Sequence, residues 1–342
     1  MPRLSIVIPV LGNLKRLEDT LVSVLANRPA DCQIVVVLNQ PYEDPYDLKD
    51  EVDFVQAPAK AGWAASLQAG IKASRAAVVH LLSCGVEVAP DWADAALPHF
   101  QDMEIAAVAA VVLDRADPQR VLSAGVTYRV CGAIRRITTA VIAASSLEAK
   151  NIVFSGPDTL AGFYRKSCLE ASEGFLGTSD PCAAGVELAS SLKRAGFRWA
   201  LEPKCQACAD RALVAAGGSL RKGRDAERLF WRWAPLAGWL RSLAAHAGLL
   251  LSETLLCAVR PGNVWRLAGR LLGGLQIASH RPHWQSLREP QPAARPQTLR
   301  GPHFAQWAST RCSASARSIS SSPSSSSSAC SNGPAAPRRL PG

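Results

Sequence analysis

The residues of this 342-residue chain that are best suited to chemistry stand at segment ends rather than in one compact motif. Lys60-Ala61-Gly62 precedes a run at helical spacing. A glycine there lets backbone N–H groups approach a phosphate closely, and the lysine adds positive charge. An ordinary turn before a helix has the same composition, so both readings stand. Cys205 and Cys208 have the spacing of half a zinc site or of a redox motif, yet no second pair or histidine set follows at ligand spacing. Chance proximity is the simpler reading for that pair. Gln68 and His80 read as a packed helix residue and a strand residue, neither with a partner that the sequence identifies.

The elements that must position these groups follow from hydrophobic pattern. Leu4 to Val10 and Ile34 to Leu38 are β-branched apolar runs of the kind buried on both faces of a parallel sheet, with a short third strand at Asp53 to Val55 and a fourth at Ala77 to Leu82. Leu14, Leu17, Leu21, Val24 and Leu25 recur at helical spacing behind Asn13 as cap, and Trp63 to Ala73 is a second helix. Ala106 to Leu113 and Val121 to Arg129 continue as strands. Arg165 to Ala171 and Val186 to Ala195 continue as helices, the latter stopped by Gly196. Strand and helix alternation of this kind implies an α/β, doubly wound, mostly parallel sheet with its ligand crevice at the carboxyl ends of the strands, after Val10, Leu38 and Leu82.

Composition bounds the rest. Hydrophobic residues at 48% and charged residues at 19% describe a folded chain, and the net charge of +10 lies largely beyond Arg211. No compact basic block with nucleic-acid motif spacing appears, so nucleic acid is not expected as a partner. The scattered cysteines and an N-terminus that opens directly on a strand imply a reducing, cytoplasmic setting, with a peripheral place at the inner face of a membrane as the variant. From Glu227 to Gln276 the texture becomes Leu- and Trp-rich helix broken at Pro261-Gly262. Leu236 to Val259 approaches a membrane span, but Arg241, His246 and Glu253 are costly at bilayer depth, which favours an amphipathic helical pair on the domain or on a membrane surface. The Pro-, Arg- and Ser-rich stretch beyond reads as a disordered tail. The organisation expected is therefore an α/β domain over 1–210, a helical extension over 211–285 and a tail over 286–342.

Four segments in order carry a family likeness: "LSIVIPVLGNLKRLEDTLVSVLAN", "QIVVVLNQPYEDP", "AGWAASLQAGIKASRAAVVHLLSCGVEVAPDW" and "GFYRKSCLEASEGFLGTSDPCAAGVELASSLKRAGFRWALEP". Together they resemble the family-2 glycosyltransferases of the GT-A fold. The resemblance implies transfer of a sugar from a nucleoside-diphosphate donor to a glycan, lipid or protein acceptor, with Mn or Mg as cofactor. It places Pro9 and Val10 at the lip of the donor pocket, Lys60 and Gly62 at a phosphate-facing helix start, and Ser83, Cys84 and Gly85 on the Asp-x-Asp-like metal motif. It also shows what is missing. None of residues 83–85 is a carboxylate, Leu38 replaces the base-contacting Asp with Asn39 beside it, and the Glu-Asp pair that supplies the catalytic base falls on Ala184 and Gly185.

The surviving acids have two readings each. Glu87 could substitute as a metal ligand, Asp180 or Glu187 could act as a displaced base, and Glu43 or Asp44 could touch the nucleoside. Equally, Glu87 alternates with Val86 and Val88 on a strand, Glu187 begins a helix whose dipole suits its charge, and Glu43-Asp44 sits in a Pro-flanked turn. Three functions follow: an active transferase in which arginines or lysines such as Arg221, Lys222, Arg224, Arg228 and Arg232 replace the metal charge; a degenerate transferase that binds or scaffolds; and a membrane-surface protein.

Overall fold

The computed structural model describes residues 2–11, 14–58, 62–138, 155–171, 178, 180–215, 219–234 and 238–288. Asn13, Lys60 and the expected tail beyond residue 288 lie outside the described residues.

Strand β1 (Leu4–Val10) is buried along its whole length. It pairs in parallel with β2 (Cys32–Leu38) on one side and with β4 (Val78–Leu82) on the other, while β3 (Val52–Gln56) extends the parallel set beyond β2. Side chains of alternate residues leave on opposite faces. Ile6 and Ile8 therefore pack with Leu17, Leu21 and Val24 of α1 (Leu14–Asn27), whereas Val7, Val35 and Val37 pack with Leu67 and Ile71 of α2 (Trp63–Ala73). Each such fully buried Leu, Ile or Val contributes roughly 1.5–3 kcal/mol, which is why apolar runs with no polar face form the centre of the sheet.

After β5 (Val86–Val88) and the short helix α3 (Trp92–Ala96), the chain adds β6 (Ile105–Asp114), β7 (Asp117–Ser123), β8 (Val126–Tyr128) and β9 (Ile134–Arg136). The single strand expected over Val121 to Arg129 is two strands, because Gly125 takes φ +110 and turns the chain from the main sheet into a small β8–β9 ribbon. Strand β10 (Ala161–Arg165) then enters antiparallel between β4 and β6. Helices α4 (Lys166–Ala171) and α5 (Pro181–Arg194) follow, and β11 (Arg198–Ala209) closes the nine-stranded sheet beside β6 and β5, in the order β3-β2-β1-β4-β10-β6-β11-β5 with β7 on β6. The class is α/β as expected, parallel through its first four strands and mixed beyond them.

Helix α5 corrects the expected helix start at Val186. Asp180 caps it, accepting from the Ala183 N–H, and Pro181 occupies the first turn where its missing N–H costs nothing. Glu187 is consequently mid-helix and buried, not at a helix start. His80 is corrected too, since it does have partners: its Nδ1 lies 3.3 Å from the Gly162 carbonyl, its Nε2 accepts from Trp92 Nε1 at 3.3 Å, and its ring stacks on Phe163 at 3.9 Å. Burial lowers its pKa to about 3. Beyond the sheet come α6 (Arg211–Ala215), α7 (Ser219–Trp233), α8 (Trp239–Val259), α9 (Val264–Gly274) and α10 (Arg281–Arg288). The break at Pro261-Gly262 falls where the sequence places it, in a short 3-10 turn between α8 and α9.

Candidate active site

Parallel strands deliver their carboxyl ends to one edge, and the loops that leave β1 and β4 meet there. Ser83, the first residue after β4, donates its N–H to Leu160 O at 2.8 Å, and the Val86 N–H returns to Ser83 O at 3.0 Å. This tight turn requires φ +95 at Gly85, whose N–H donates to Thr20 Oγ1 of α1 at 2.8 Å. A side chain at Gly85 would also meet Arg16 Cδ at 3.2 Å.

A pocket of about 130 Å³ opens on this turn, lined by Pro9, Leu11, Arg16, Trp63, Ser83, Cys84, Arg136, Leu160, Asp180, Pro181 and Leu213. It brings together Pro9, Ser83 and Asp180 of the sequence-derived set. Val10 is buried at the end of β1, opposite Leu38, and Asn39 follows on the next strand end. Gly62 caps α2 with ordinary extended backbone, and among the described residues nothing lies within 4 Å of where its side chain would stand.

Two buried polar atoms on the pocket wall, Ser83 Oγ and Trp63 Nε1, have no hydrogen-bond partner among the described residues, and Asn39 Oδ1 and Tyr42 Oη share that state in the loop after β2. A polar atom buried without a partner typically costs about 1–3 kcal/mol, and a ligand that bonds it recovers that cost. Two arginines face the same space. Arg136 is fixed by donating from Nε to Asp158 Oδ2 at 2.6 Å and from Nη1 to Val214 O at 3.1 Å, and Asp158 is itself held by Ser123 Oγ at 2.9 Å. Arg16 comes from the first turn of α1.

Asp180 is the one carboxylate of the lining among the described residues. Burial raises its pKa above the usual carboxylate value, with Arg136 and Lys222 pulling the other way. Burial also pushes the Cys84 thiol up to about 12, so it stands in the pocket as a neutral thiol. This donor set does not fit Mn or Mg, which take several hard oxygen ligands: a serine hydroxyl, a protonated thiol and one capping carboxylate are what the wall offers. Among the described residues no cluster of three or more His, Cys, Asp or Glu is placed to hold a metal.

The other acids lie elsewhere. Glu87 of β5 pairs with Arg115 and accepts from Cys208 Sγ at 3.8 Å. Glu187 points toward α7, where Arg232 Nε stands 3.7 Å from its Oε1. Neither lines the pocket. Cys205 and Cys208 are free thiols on β11, one buried and one half-buried. The cations proposed from sequence, Arg221 to Arg232, sit on α7 and outside the lining; Arg16 and Arg136 line it instead. Sequence pattern passes over both, Arg16 because an amphipathic helix counts it as surface and Arg136 because β9 is too short and polar to register as a strand.

Ala184 and Gly185, where the base pair of the family would fall, are packed shut. A Cβ at Gly185 would lie 2.6 Å from the Pro157 carbonyl oxygen and 3.3 Å from the Asp158 Cα.

Comparison with known proteins agrees with this geometry. The family described as glycosyl transferase family 2 matches residues 5–124. GalNAc-T7 solved with UDP, GalNAc and Mn2+ is similar in fold at TM-score 0.52 and 13% identity, over 68% of this chain and 48% of that one, so the chain spans about half the length of that relative. The mannosyltransferase PcManGT from Pyrobaculum calidifontis, solved with GDP-Man and Mn2+, aligns at TM-score 0.47 and 15% identity over 81% of this chain and 87% of that one. No curated protein matches the sequence. The family match over β1 to β7 and the fold likeness agree: residues 5–124 match glycosyl transferase family 2, and the α/β sheet has the GT-A type of fold.

Proposed function

We propose that the chain transfers a glycosyl group from a nucleoside-diphosphate sugar to a glycan, lipid or protein acceptor, without a metal in the donor pocket. The observation that carries this reading is the pairing, in one pocket at the strand ends, of two cations with unpartnered buried polar atoms and a single carboxylate of raised pKa. Arg16 and Arg136 stabilise the charge that develops on the leaving diphosphate. Asp180 takes the acceptor hydroxyl proton on a carboxylate oxygen as that hydroxyl oxygen bonds to the sugar C1. The C1–O bond to phosphate breaks, and its electron pair leaves on the diphosphate. A raised pKa suits a base working near neutral pH, and the cap bond to Ala183 N–H holds the carboxylate in place.

A second reading, a binding or scaffold subunit that has lost turnover, is favoured by the absence of carboxylates at Ser83 to Gly85 and at Ala184-Gly185. One experiment separates the two. Thermal unfolding is followed with nucleoside diphosphates and nucleotide sugars, with manganese or with EDTA, and the stabilising donor is carried into a turnover assay. A ligand at 100 times its Kd raises stability by about 2.7 kcal/mol, and EDTA should leave that gain unchanged. Asp180→Asn keeps the cap and should lower kcat by about 10²–10⁴ with little change in Kd. Binding with no turnover selects a binding subunit; no binding by any nucleotide ends the transferase reading and leaves the scaffold.

A further inference from the structure

Helices α8 and α9 are turned inside out. Several of their polar side chains face inward: Ser242, His246 and Glu253 recur along one stripe of α8, and Arg270 of α9 is almost completely buried, while Arg241, Ser252 and Thr254 stay exposed. Arg270 donates to Glu253 at 2.7 and 3.2 Å and to Glu227 of α7 at 3.0 Å. His246 lies 3.0 Å from Glu227 and 2.8 Å from the Cys131 carbonyl, and Arg266 stands 3.3 Å from Glu253. The apolar side chains face out instead. Leu251, Leu255, Val259, Trp265, Leu271 and Leu275 are 63% to 83% exposed, on the sides of α8 and α9 that turn away from the ion network. Scattered exposed leucines are ordinary, but a two-helix face of them backed by buried charges is the reverse of a helix pair that meets water.

We infer that this α8–α9 face rests on an anionic lipid bilayer, lying in the interface rather than crossing it. Charge selects the occupant. From Trp239 to Arg288 the sequence holds six arginines and a single acid, Glu253, which is turned inward onto Arg266 and Arg270. Arg241, Arg260 and Arg281 are exposed beside the leucines. Apolar insertion flanked by basic side chains, with no exposed acid to repel phosphate headgroups, is the chemistry of an interfacial anchor. Length alone would let α8 cross: its 21 residues span about 31 Å. The inward stripe forbids it, because His246 and Glu253 are bonded to α7 and α9 and would have to leave those partners for hydrocarbon. This inference stands independently of the proposed transfer reaction.

The test is co-sedimentation of the full chain with phosphatidylcholine vesicles and with vesicles that also contain phosphatidylglycerol. Strong binding to the anionic vesicles is expected, with Leu251→Ser/Leu255→Ser lowering the partition constant about tenfold or more and Arg241→Ala/Arg260→Ala lowering it on the anionic vesicles only. All four positions are exposed, so unchanged melting of the variants confirms that folding is not the cause. Failure to pellet with either vesicle overturns the inference. So does pelleting that salt abolishes and the leucine variant leaves untouched, which is surface charge alone. A stable dimer in lipid-free buffer that the leucine variant splits would assign the face to a second copy and overturn it equally.

Discussion

Whether a carboxylate can stand at Gly185, where the resemblance would put the family's base, is decided by packing before it is decided by chemistry. A Cβ there would stand 2.6 Å from the Pro157 carbonyl oxygen, a backbone atom held by its place beside Asp158, whose carboxylate is bonded to Arg136 and Ser123. Neither the helix nor the 156–158 segment has a flexible end to give, and on that same surface a Cβ at Gly156 would meet Ala189 Cβ at 2.3 Å. Overpacking costs about 1–3 kcal/mol, and contact with backbone puts Gly185→Ala in the upper half of that range. At about 2–4 °C per kcal/mol for a domain of this size, its Tm should fall by roughly 4–12 °C. Gly185→Asp adds a buried charge and should fall further. Gly248→Ala is the matched control: nothing lies within 4 Å of its Cβ position on exposed α8, so the same change should raise stability by about 0.5–1 kcal/mol. Circular dichroism melts of the three variants measure this. A Tm for Gly185→Ala within a degree of the parent, or a Gly185→Asp protein that folds and gains turnover, would refute the reasoning that α5 has closed over the family's base position.

Two further perturbations probe the scaffold. His80 is buried uncharged with its folded pKa depressed to about 3, so its contribution is fully present above the unfolded value near 6.5 and is lost as pH falls toward 3. Urea unfolding at pH 7 and pH 5 should show about 2 kcal/mol lost by the parent from this group and a correspondingly smaller loss in His80→Gln, with equal losses counting against the assignment. At Gly269 a Cβ would lie 2.0 Å from Leu220 O, and at Gly223 one would lie 2.0 Å from Arg266 O, so α7 and α9 touch backbone to backbone. Gly269→Ala should therefore cost about 2–3 kcal/mol and expose the α8–α9 segment to limited proteolysis, and an unchanged digestion pattern would show that the helices separate freely.

The parts of the fold that were legible are those with one unbroken physical signal. β1, β2 and α2 lie where apolar runs and helical spacing place them, since β-branched residues dominate the two strands and the apolar residues of α2 recur at helical spacing. The antiparallel entry of β10 was not legible, because strand direction depends on where the chain comes back after β7 to β9 and not on the composition of Ala161–Arg165. The pocket divides in the same way. Pro9, Ser83 and Asp180 stand at strand or helix ends, where position in the pattern points to them. Trp63 and Arg16 sit inside amphipathic helices, where pattern reads them as core and surface. Gly185 reads in sequence as a lost aspartate, whereas the packing makes it a residue that the contact with Pro157 requires to be small.

One helix joins the donor pocket to the lipid-facing hairpin, and this bears on which acceptor the chain can use. Glu227 of α7 holds both His246 of α8 and Arg270 of α9. One and a half turns further along, Arg232 stands against Glu187 of α5, the helix that Asp180 caps at the pocket wall. From Glu187 back to Asp180 is about 10 Å of continuous helix, and from Glu227 to Arg232 about 7.5 Å. Removing one partner of a buried, bonded charge costs about 3–5 kcal/mol, so the Glu227 contacts hold the hairpin to α7, while the contact from α7 to α5 is the ion pair of Arg232 and Glu187 at 3.7 Å. A face resting on lipid would then set the pocket at one height above the bilayer. Such a height suits an acceptor carried on a membrane-borne lipid, whose hydroxyl arrives at a constrained level, better than it suits a freely diffusing glycan. Of the three acceptor classes in the proposed function, we propose the lipid as the one to assay first, a reading that rests on both the inferred interfacial face and the α7 contacts.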